Sequence, residues 1–262
     1  MTDTSAASAI MTGDEPGRLG RTRSGWRPLI IQVAAILVVL LAFVIWLLVA
    51  PLTATERGTL NPGALWGSTL EHLQLTFVAA IIVLVVAIPL GVVLTRPAFR
   101  RASGPILAVA NFGQAAPAVG LVVLFAAIIT SGFWASILAL VLYAALPVLR
   151  NTMIGIQGVD SRLVEAGRGM GMSAAAVLFR VELPLAVPVM LAGVRTALVL
   201  LVGTASLAAF VNGGGLGLLI ITGVNLYLFS VLISGALLIA LLALLIDWAG
   251  RVVEHVARPK GL

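Results

Sequence analysis

The segment GVDSRLVEAGRGMGMSAAAVLFRVELP, residues 158–184, decides how the rest of the chain is interpreted. Asp160 is a good N-cap for a short helix, and Ser173 is a good N-cap for a second one. Glycines at positions 167, 169 and 171 lie between the two and loosen or end the first helix. Because proline cannot donate a backbone hydrogen bond, the second helix is expected to stop before Pro184. The segment therefore predicts two short helices that meet at a glycine-rich elbow.

The sequence on both sides of this elbow is strongly apolar. Hydrophobic residues make up 61% of the 262 residues, charged residues make up 10%, and the mean hydropathy is +1.15. A water-soluble core cannot bury so much apolar surface, whereas this length can form roughly six helices of about 20 residues across a bilayer. We therefore predict an all-α membrane protein with a transmembrane domain over residues 28–250. A disordered tail is expected at 1–27 and a second tail at 251–262, and the expected spans are 29–52, 73–94, 106–129, 133–149, 187–211 and 226–249.

The distribution of cationic residues predicts the orientation in the membrane. Lys and Arg beside transmembrane segments are concentrated on the cytoplasmic side. With the amino terminus inside, all of the 16 Lys and Arg residues except Arg57 and Arg195 fall on that side. Both termini and the elbow are therefore predicted to be cytoplasmic. Arg195 lies within or at the edge of the fifth span, where we expect a structural role and a partner such as Asp247 or Glu182.

Several kinds of chemistry are not expected of this chain. It has no cysteine, and His72 and His255 fall on opposite predicted sides of the membrane, so a metal site is not expected. A phosphate-binding loop ends in Lys-Ser or Lys-Thr, but the only lysine, Lys260, is followed by Gly261. The chain is therefore not expected to be an enzyme or to hold a cofactor. Its net charge of +6 is attributed to topology and lipid headgroups rather than to nucleic acid.

The elbow also carries a specific spacing of residues. The matching positions are Glu165, Ala166, Gly167, Gly171, Val181, Leu183 and Pro184. This spacing resembles the EAA loop of ATP-binding-cassette importer permeases, whose pattern is Glu-Ala-Ala, three residues, Gly, nine residues, an aliphatic residue, one residue and Leu-Pro. The one departure is Gly167, which replaces the second alanine of that pattern with another small residue.

The resemblance implies a type I importer permease fold and a mechanical role. In that family the loop forms a coupling helix in a groove of the cytoplasmic ATPase, so that closure of two ATPase subunits switches the permease between inward-facing and outward-facing states. It also implies ATP and Mg on the partner subunit, a second permease copy or paralogue, and an extracytoplasmic solute-binding protein. The residues assigned to the ATPase contact are Glu165, Ala166, Gly167, Arg168, Gly169, Met170, Gly171 and Met172.

Further stretches resemble one branch of these permeases, the importers of glycine betaine, choline, carnitine and similar quaternary amines. The stretches are YAALPVLRNT at 143–152, LPLAVP at 183–188, AGVRTA at 192–197 and AAFVNGGGLG at 208–217. Asn212 and Gly213 depart from the Gly-Ala pair expected there, and because that loop is predicted on the outer side, the change is expected to alter contact with a binding protein. The alternatives left open are a permease for methionine or another small amino acid, a stand-alone secondary transporter or channel, and a membrane enzyme.

Polar or helix-breaking residues at membrane depth are candidates for a solute pathway or gate. Such groups are tolerated in a bilayer only where they face protein or water. Hydrogen bonding between helices is the competing explanation. Glu71 and His72 begin the second span and are expected at the headgroup level. The candidate pathway or gate residues are Asn111, Gln114, Pro117, Ser131 and Asn212.

Overall fold

The computed structural model describes residues 26–130 and 132–257, and these residues form helices joined by short turns. Most of the predicted tail at 1–27, residues 258–262 and Ser131 lie outside the described residues. Helix α1 already begins at Trp26, and the last helix extends seven residues into the segment predicted as the second tail. The α-helices are α1 (Trp26–Val49), α2 (Ala54–Thr59), α3 (Pro62–Leu94), α4 (Ser103–Ala115), α5 (Ala118–Ile128), α6 (Gly132–Gln157), α7 (Ser161–Gly169), α8 (Ala174–Val177), α9 (Leu183–Ala205), α10 (Gly217–Asn225) and α11 (Phe229–Ala257).

Five helical segments of the described residues are long and apolar enough to cross a membrane. They are α1, α3, α6, α11 and the continuous helical stretch 174–211 that contains α9. A sixth span exists only as a broken pair, because α4 and α5 are bent by 102° relative to one another. The predicted third span at 106–129 is therefore not one straight helix. Ala116 has extended backbone angles, as expected for a residue that precedes a proline, and Pro117 lacks the N–H that would continue the helix.

Helix α3 is longer than the apolar segment that predicted it. It contains 33 residues and begins at Pro62, where the Asn61 side chain accepts a hydrogen bond from the Ala64 N–H at 2.9 Å. At about 1.5 Å per residue this helix is about 50 Å long, whereas the hydrocarbon layer is about 30 Å thick. Hydropathy predicts only the part of a helix that lies in lipid, whereas a capped helix such as α3 can extend beyond the lipid into water. Helix α3 therefore reaches from the outer side to the cytoplasmic side.

The core of the molecule lies where α3, α6 and α9 pack together. Its buried side chains include Leu75, Val83, Leu140 and Leu201. Close approach depends on small residues, since a Cβ at Gly193 would lie 2.5 Å from the Asn151 Cβ and 2.7 Å from the Pro147 carbonyl oxygen. Small residues of this kind are typical of helix interfaces within bilayers. Helix α11 covers α9, α10 packs on α11, and α1 is outermost, with Leu29, Ile36 and Phe43 as its buried residues.

The prediction that the second elbow helix stops before Pro184 is wrong. Helix α8 continues through a π turn at Leu178–Glu182 into α9. Within this turn the Leu183 N–H donates to the carbonyl of Leu178, five residues earlier. Pro184 then lies in the first turn of α9, where the wider turn has already replaced the ordinary pattern of hydrogen bonds. The elbow is therefore joined to a membrane-spanning helix without a break.

Candidate functional site

The elbow has the two helix caps that the sequence predicts. The Asp160 carboxylate accepts from the Arg162 N–H at 2.9 Å, and the Ser173 hydroxyl accepts from the Ala176 N–H at 3.2 Å. Gly167 and Gly169 lie within α7, so only the third glycine ends the helix.

The turn that ends α7 is fixed by a glycine in the left-handed region. Gly171 has a φ of +82° and its N–H donates to the Arg168 carbonyl at 2.9 Å. The N–H of Met172 donates to the Gly167 carbonyl at 3.1 Å. These two bonds form a Schellman motif, in which glycine avoids the steric cost of a Cβ. The direction of the chain between α7 and α8 therefore depends on Gly171.

Most of the residues predicted to contact an ATPase lie on the outside of the elbow. Met170 is 72% exposed. This exposure leaves the flexible apolar side chain of Met170 available to a partner. The six exposed members of the predicted set, which we name the elbow surface, are Glu165, Ala166, Arg168, Gly169, Met170 and Gly171.

The other two members lie deeper, because Met172 is half-buried and Gly167 is buried. Gly167 faces α8 and the π turn. A Cβ at this position would lie 3.5 Å from the Met172 sulfur, 3.5 Å from the Val177 Cγ2 and 3.7 Å from the Val181 Cγ2, which are ordinary van der Waals separations. The alanine of the family pattern would therefore fit here. Gly167 supports the elbow surface from inside and does not form part of it.

At the base of the elbow, Glu182 forms a bidentate ion pair with Arg96. Nη1 of Arg96 donates to Oε1 of Glu182 at 3.2 Å, and Nη2 donates to Oε2. The Glu182 side chain is 9% exposed and the Arg96 side chain is 33% exposed. The sequence-based suggestion that Glu182 pairs with Arg195 is therefore wrong. The one sequence signal for the true pair is that Arg96 and Glu182 both fall at the predicted cytoplasmic boundary.

Arg195 pairs with acidic residues of α11, as a structural role requires. Its Nη1 lies 3.8 Å from Oδ1 of Asp247, and its Nε lies 3.1 Å from Oε1 of Glu254. The first contact confirms one of the two partners suggested from the sequence. Glu254 was missed, although its spacing of seven residues from Asp247 places both on one helix face. Arg251 also donates to Asp247 at 2.8 Å.

On the outer side, α3 holds the glycine-rich loop that follows α9. The Gly215 N–H donates to Oε2 of Glu71 at 2.9 Å, and Gly214 and Gly215 have φ values of +84° and +86°. A Cβ at Gly215 would lie 3.2 Å from Nδ1 of His72. His72 is fully buried, and its Nε2 lies 2.9 Å from the Val202 carbonyl oxygen. Glu71 and His72 thus bind this loop. The glycine run was the signal for such a close approach.

Four of the five candidate pathway residues lie in the described part of the chain, and these four do not form one cluster of side-chain contacts. Asn111 donates to the Leu107 carbonyl at 2.8 Å and accepts from Nη2 of Arg150 at 3.0 Å. The bond with Arg150 joins α4 to α6, which is the hydrogen bonding between helices that the competing explanation describes. Gln114 is half-buried and Pro117 is exposed at the bend between α4 and α5. Asn212 is exposed in the separate outer loop, in the left-handed region.

Comparison with known proteins finds a family and relatives that are all transport permeases. Residues 87–258 match the family described as "Binding-protein-dependent transport system inner membrane component". The chain is 42% identical to the choline transport system permease protein OpuBB of Bacillus subtilis, over 77% of this chain and 92% of that relative. It is 41% identical to the glycine betaine/carnitine/choline transport system permease protein OpuCB of the same organism, again over 77% and 92%.

The fold also matches a solved structure. An inward-facing conformation of the MetNI methionine ABC transporter matches 74% of this chain and 96% of that chain, with a TM-score of 0.65 and 26% identity. The all-helical architecture agrees with this likeness. The chain therefore belongs to the family of binding-protein-dependent transport system inner membrane components, as a multi-pass inner-membrane permease with the type I ABC importer fold.

Proposed function

We propose that this chain is the membrane passage of an ATP-driven importer for glycine betaine, choline, carnitine or similar quaternary amines. The observation that carries this proposal is the identity of 41–42% with permeases named for these solutes, over 92% of their length. The methionine transporter is 26% identical, so the alternative of a methionine permease has weaker support. A stand-alone transporter or channel would leave the elbow surface without a role.

In this proposal the elbow surface docks on the ATPase. Met170 provides an adaptable apolar contact, and the small residues around it allow two backbones to approach closely. Because α7 packs on α8, and α8 continues into α9, a displacement of the elbow moves the cytoplasmic end of α9. ATP and Mg bind to two partner ATPase subunits, and this chain holds no cofactor of its own.

The passage itself is proposed to bind the solute weakly. Among the described residues, the close aromatic contacts are the isolated pairs Trp26–His255, Phe43–Trp46 and Phe133–Trp134. A pair of rings gives a trimethylammonium group fewer π faces than an enclosing cage. Weak binding also favours release on the far side. Affinity and selectivity are therefore assigned to a separate extracytoplasmic binding protein, and a second permease copy or paralogue completes the passage.

The transport assay uses the complete complex with its ATPase, second permease and binding protein in proteoliposomes. We expect accumulation of labelled choline or glycine betaine only when ATP is present on the ATPase side, and no accumulation of methionine. Uptake of methionine in place of the quaternary amines would contradict the proposed solute. Uptake that continues without ATP would contradict the proposed mechanism.

The elbow surface is tested by Met170→Asp and Glu165→Arg, which change exposed groups without disturbing the caps. We expect both variants to insert in the membrane and to lose co-purification with the ATPase. Met170→Asp replaces the apolar contact with a charge, and Glu165→Arg reverses a charge. The control is Arg101→Ala, an exposed cation on the neighbouring cytoplasmic turn. ATPase recovery equal to that of the parent chain would refute the assignment.

A further inference from the structure

The ion pair between Arg96 and Glu182 joins two parts of the molecule that are 86 positions apart in sequence. Arg96 comes just after α3 and precedes the 3₁₀ turn Pro97–Ala102. Glu182 ends the π turn between α8 and α9. Both carboxylate oxygens are engaged by one planar guanidinium, and this two-point contact fixes the relative orientation of the groups as well as their distance. The pair therefore fastens the cytoplasmic end of α3 to the base of the elbow.

The contacts on the elbow side of this pair form a continuous packed path. Helix α7 packs on α8 and on the π turn, and the side chains of Val177 and Val181 face Gly167 on its inner face. Val181 is the neighbour of Glu182 in sequence. A displacement of α7 is therefore transmitted through apolar contacts to the residue that holds Arg96. The π turn is the one non-α segment along this route, and such turns are frequent at functional positions in helices.

On the other side of the pair, α3 leads without interruption to the outer loop. Helix α3 runs from Pro62 to Leu94, and the 24 residues from Glu71 to Leu94 connect the outer-loop contact to the cytoplasmic turn. Glu71 accepts the hydrogen bond from Gly215, and His72 packs against the same glycine. This part of α3 is about 35 Å long and stays helical through Pro89, with the elbow fastened at its cytoplasmic end and the outer loop fastened at Glu71.

We infer that Arg96 and Glu182 are positioning residues that make α3 move together with the elbow, so that ATPase closure changes the outer loop at Gly215. This inference rests on the proposed function, because it assumes that the elbow receives a displacement from an ATPase. Other ion pairs near the elbow do not provide this connection, since Arg162 and Asp160 are close in sequence and their side chains are 88% and 49% exposed.

The experiment measures solute transported per ATP hydrolysed in the complete reconstituted complex. The variants are Arg96→Ala, Glu182→Gln and the charge-exchanged double variant Arg96→Glu with Glu182→Arg, and Arg101→Ala, in the 3₁₀ turn that follows Arg96, is the matched control. We expect each single variant to lower this ratio by about tenfold while the ATPase rate is retained, which corresponds to the usual size of coupling between sites. The double variant is expected to recover much of the ratio, and the control is expected to match the parent chain.

A second measurement reports the outer loop directly. Because the chain has no cysteine, Phe210→Cys introduces a single labelling site on an exposed residue beside that loop. We expect a non-hydrolysable ATP analogue to change the maleimide labelling rate in the parent background and to leave it unchanged with Arg96→Ala. A purely structural role would lower assembly or thermal stability but would leave both the ratio and this response intact.

The outcomes separate this inference from the proposed function. A parent complex that does not transport quaternary amines with ATP contradicts the proposed function. A parent complex that transports them, together with an Arg96→Ala variant of equal transport ratio and equal labelling response, overturns the inference. If the alanine variant does not assemble, Arg96→Lys retains the charge without the two-point contact. An intermediate ratio with lysine supports the inference, and a parent-like ratio overturns it.

Discussion

The substitution Gly167→Ala should stabilise the elbow. Gly167 lies inside α7, and glycine in a helix costs about 0.8–1 kcal/mol relative to alanine. The added methyl group would meet its neighbours at 3.5–3.7 Å, so it adds contact without a clash. We therefore expect the opening free energy of the elbow to rise by about 1 kcal/mol, which slows amide hydrogen exchange within 163–172 by about fivefold. Solute uptake should remain at the parent level, because the methyl group lies on the inner face.

The matched control is Gly171→Ala, in the same elbow and with the same chemical change. Gly171 has a φ of +82°, where a Cβ is strained even though the space around it is open. We expect this variant to lower the opening free energy by about 1–2 kcal/mol and to speed exchange in the same peptides. Equal exchange rates for the two variants, or faster exchange for Gly167→Ala, would refute the distinction between the inner glycine and the turn glycine.

Three further predictions concern other parts of the chain. Arg195→Ala leaves the partly buried Glu254 carboxylate without its cation, and we expect the free energy of unfolding to fall by about 1–2 kcal/mol, measured as a lower Tm. The double variant Arg195→Ala with Glu254→Gln should partly restore the Tm. Gly215→Ala places a methyl group at a φ of +86° beside His72, so outer-loop peptides should exchange several-fold faster, and unchanged exchange would contradict the packing. Hydrogen bonds from the backbone and side chain of Thr53 lower the pKa of Glu56 in the folded protein. The ionised Glu56 carboxylate therefore stabilises α2 fully above the unfolded pKa of about 4.3, and this stabilisation is lost as the pH falls through the folded pKa. Glu56→Gln should remove this pH dependence from amide hydrogen exchange in α2.

The membrane architecture and the elbow could be predicted from local sequence. Hydropathy and cation placement depend on short segments, and the caps at Asp160 and Ser173 act within three residues of themselves. The glycine turn at Gly171 is equally local. These features are determined by interactions that a single stretch of chain contains.

The features that sequence reasoning missed depend on contacts between distant segments. Arg96 and Glu182 become partners only when α3 and α9 lie side by side, and Glu71 reaches Gly215 across 144 positions of sequence. The break at Pro117 is not evident from hydropathy, which predicts one span at 106–129, since a proline within a helix usually kinks it without turning it by 102°. Pro184 gave the opposite error, because the π turn accommodates a proline that was expected to end the helix.

The π turn at Leu178–Glu182 has a consequence for insertions and deletions in this chain. A π turn accommodates one residue more than an α-helical turn, and each residue of an α-helix advances the chain by about 100° around the axis. Deletion of a single residue here would restore an ordinary turn and rotate the elbow helices α7 and α8 by about 100° relative to α9. The elbow would keep its caps and its glycine turn, yet Met170 would point in another direction. The direction in which the side chains of the nine-residue helix α7 point thus depends on the one extra residue in the π turn.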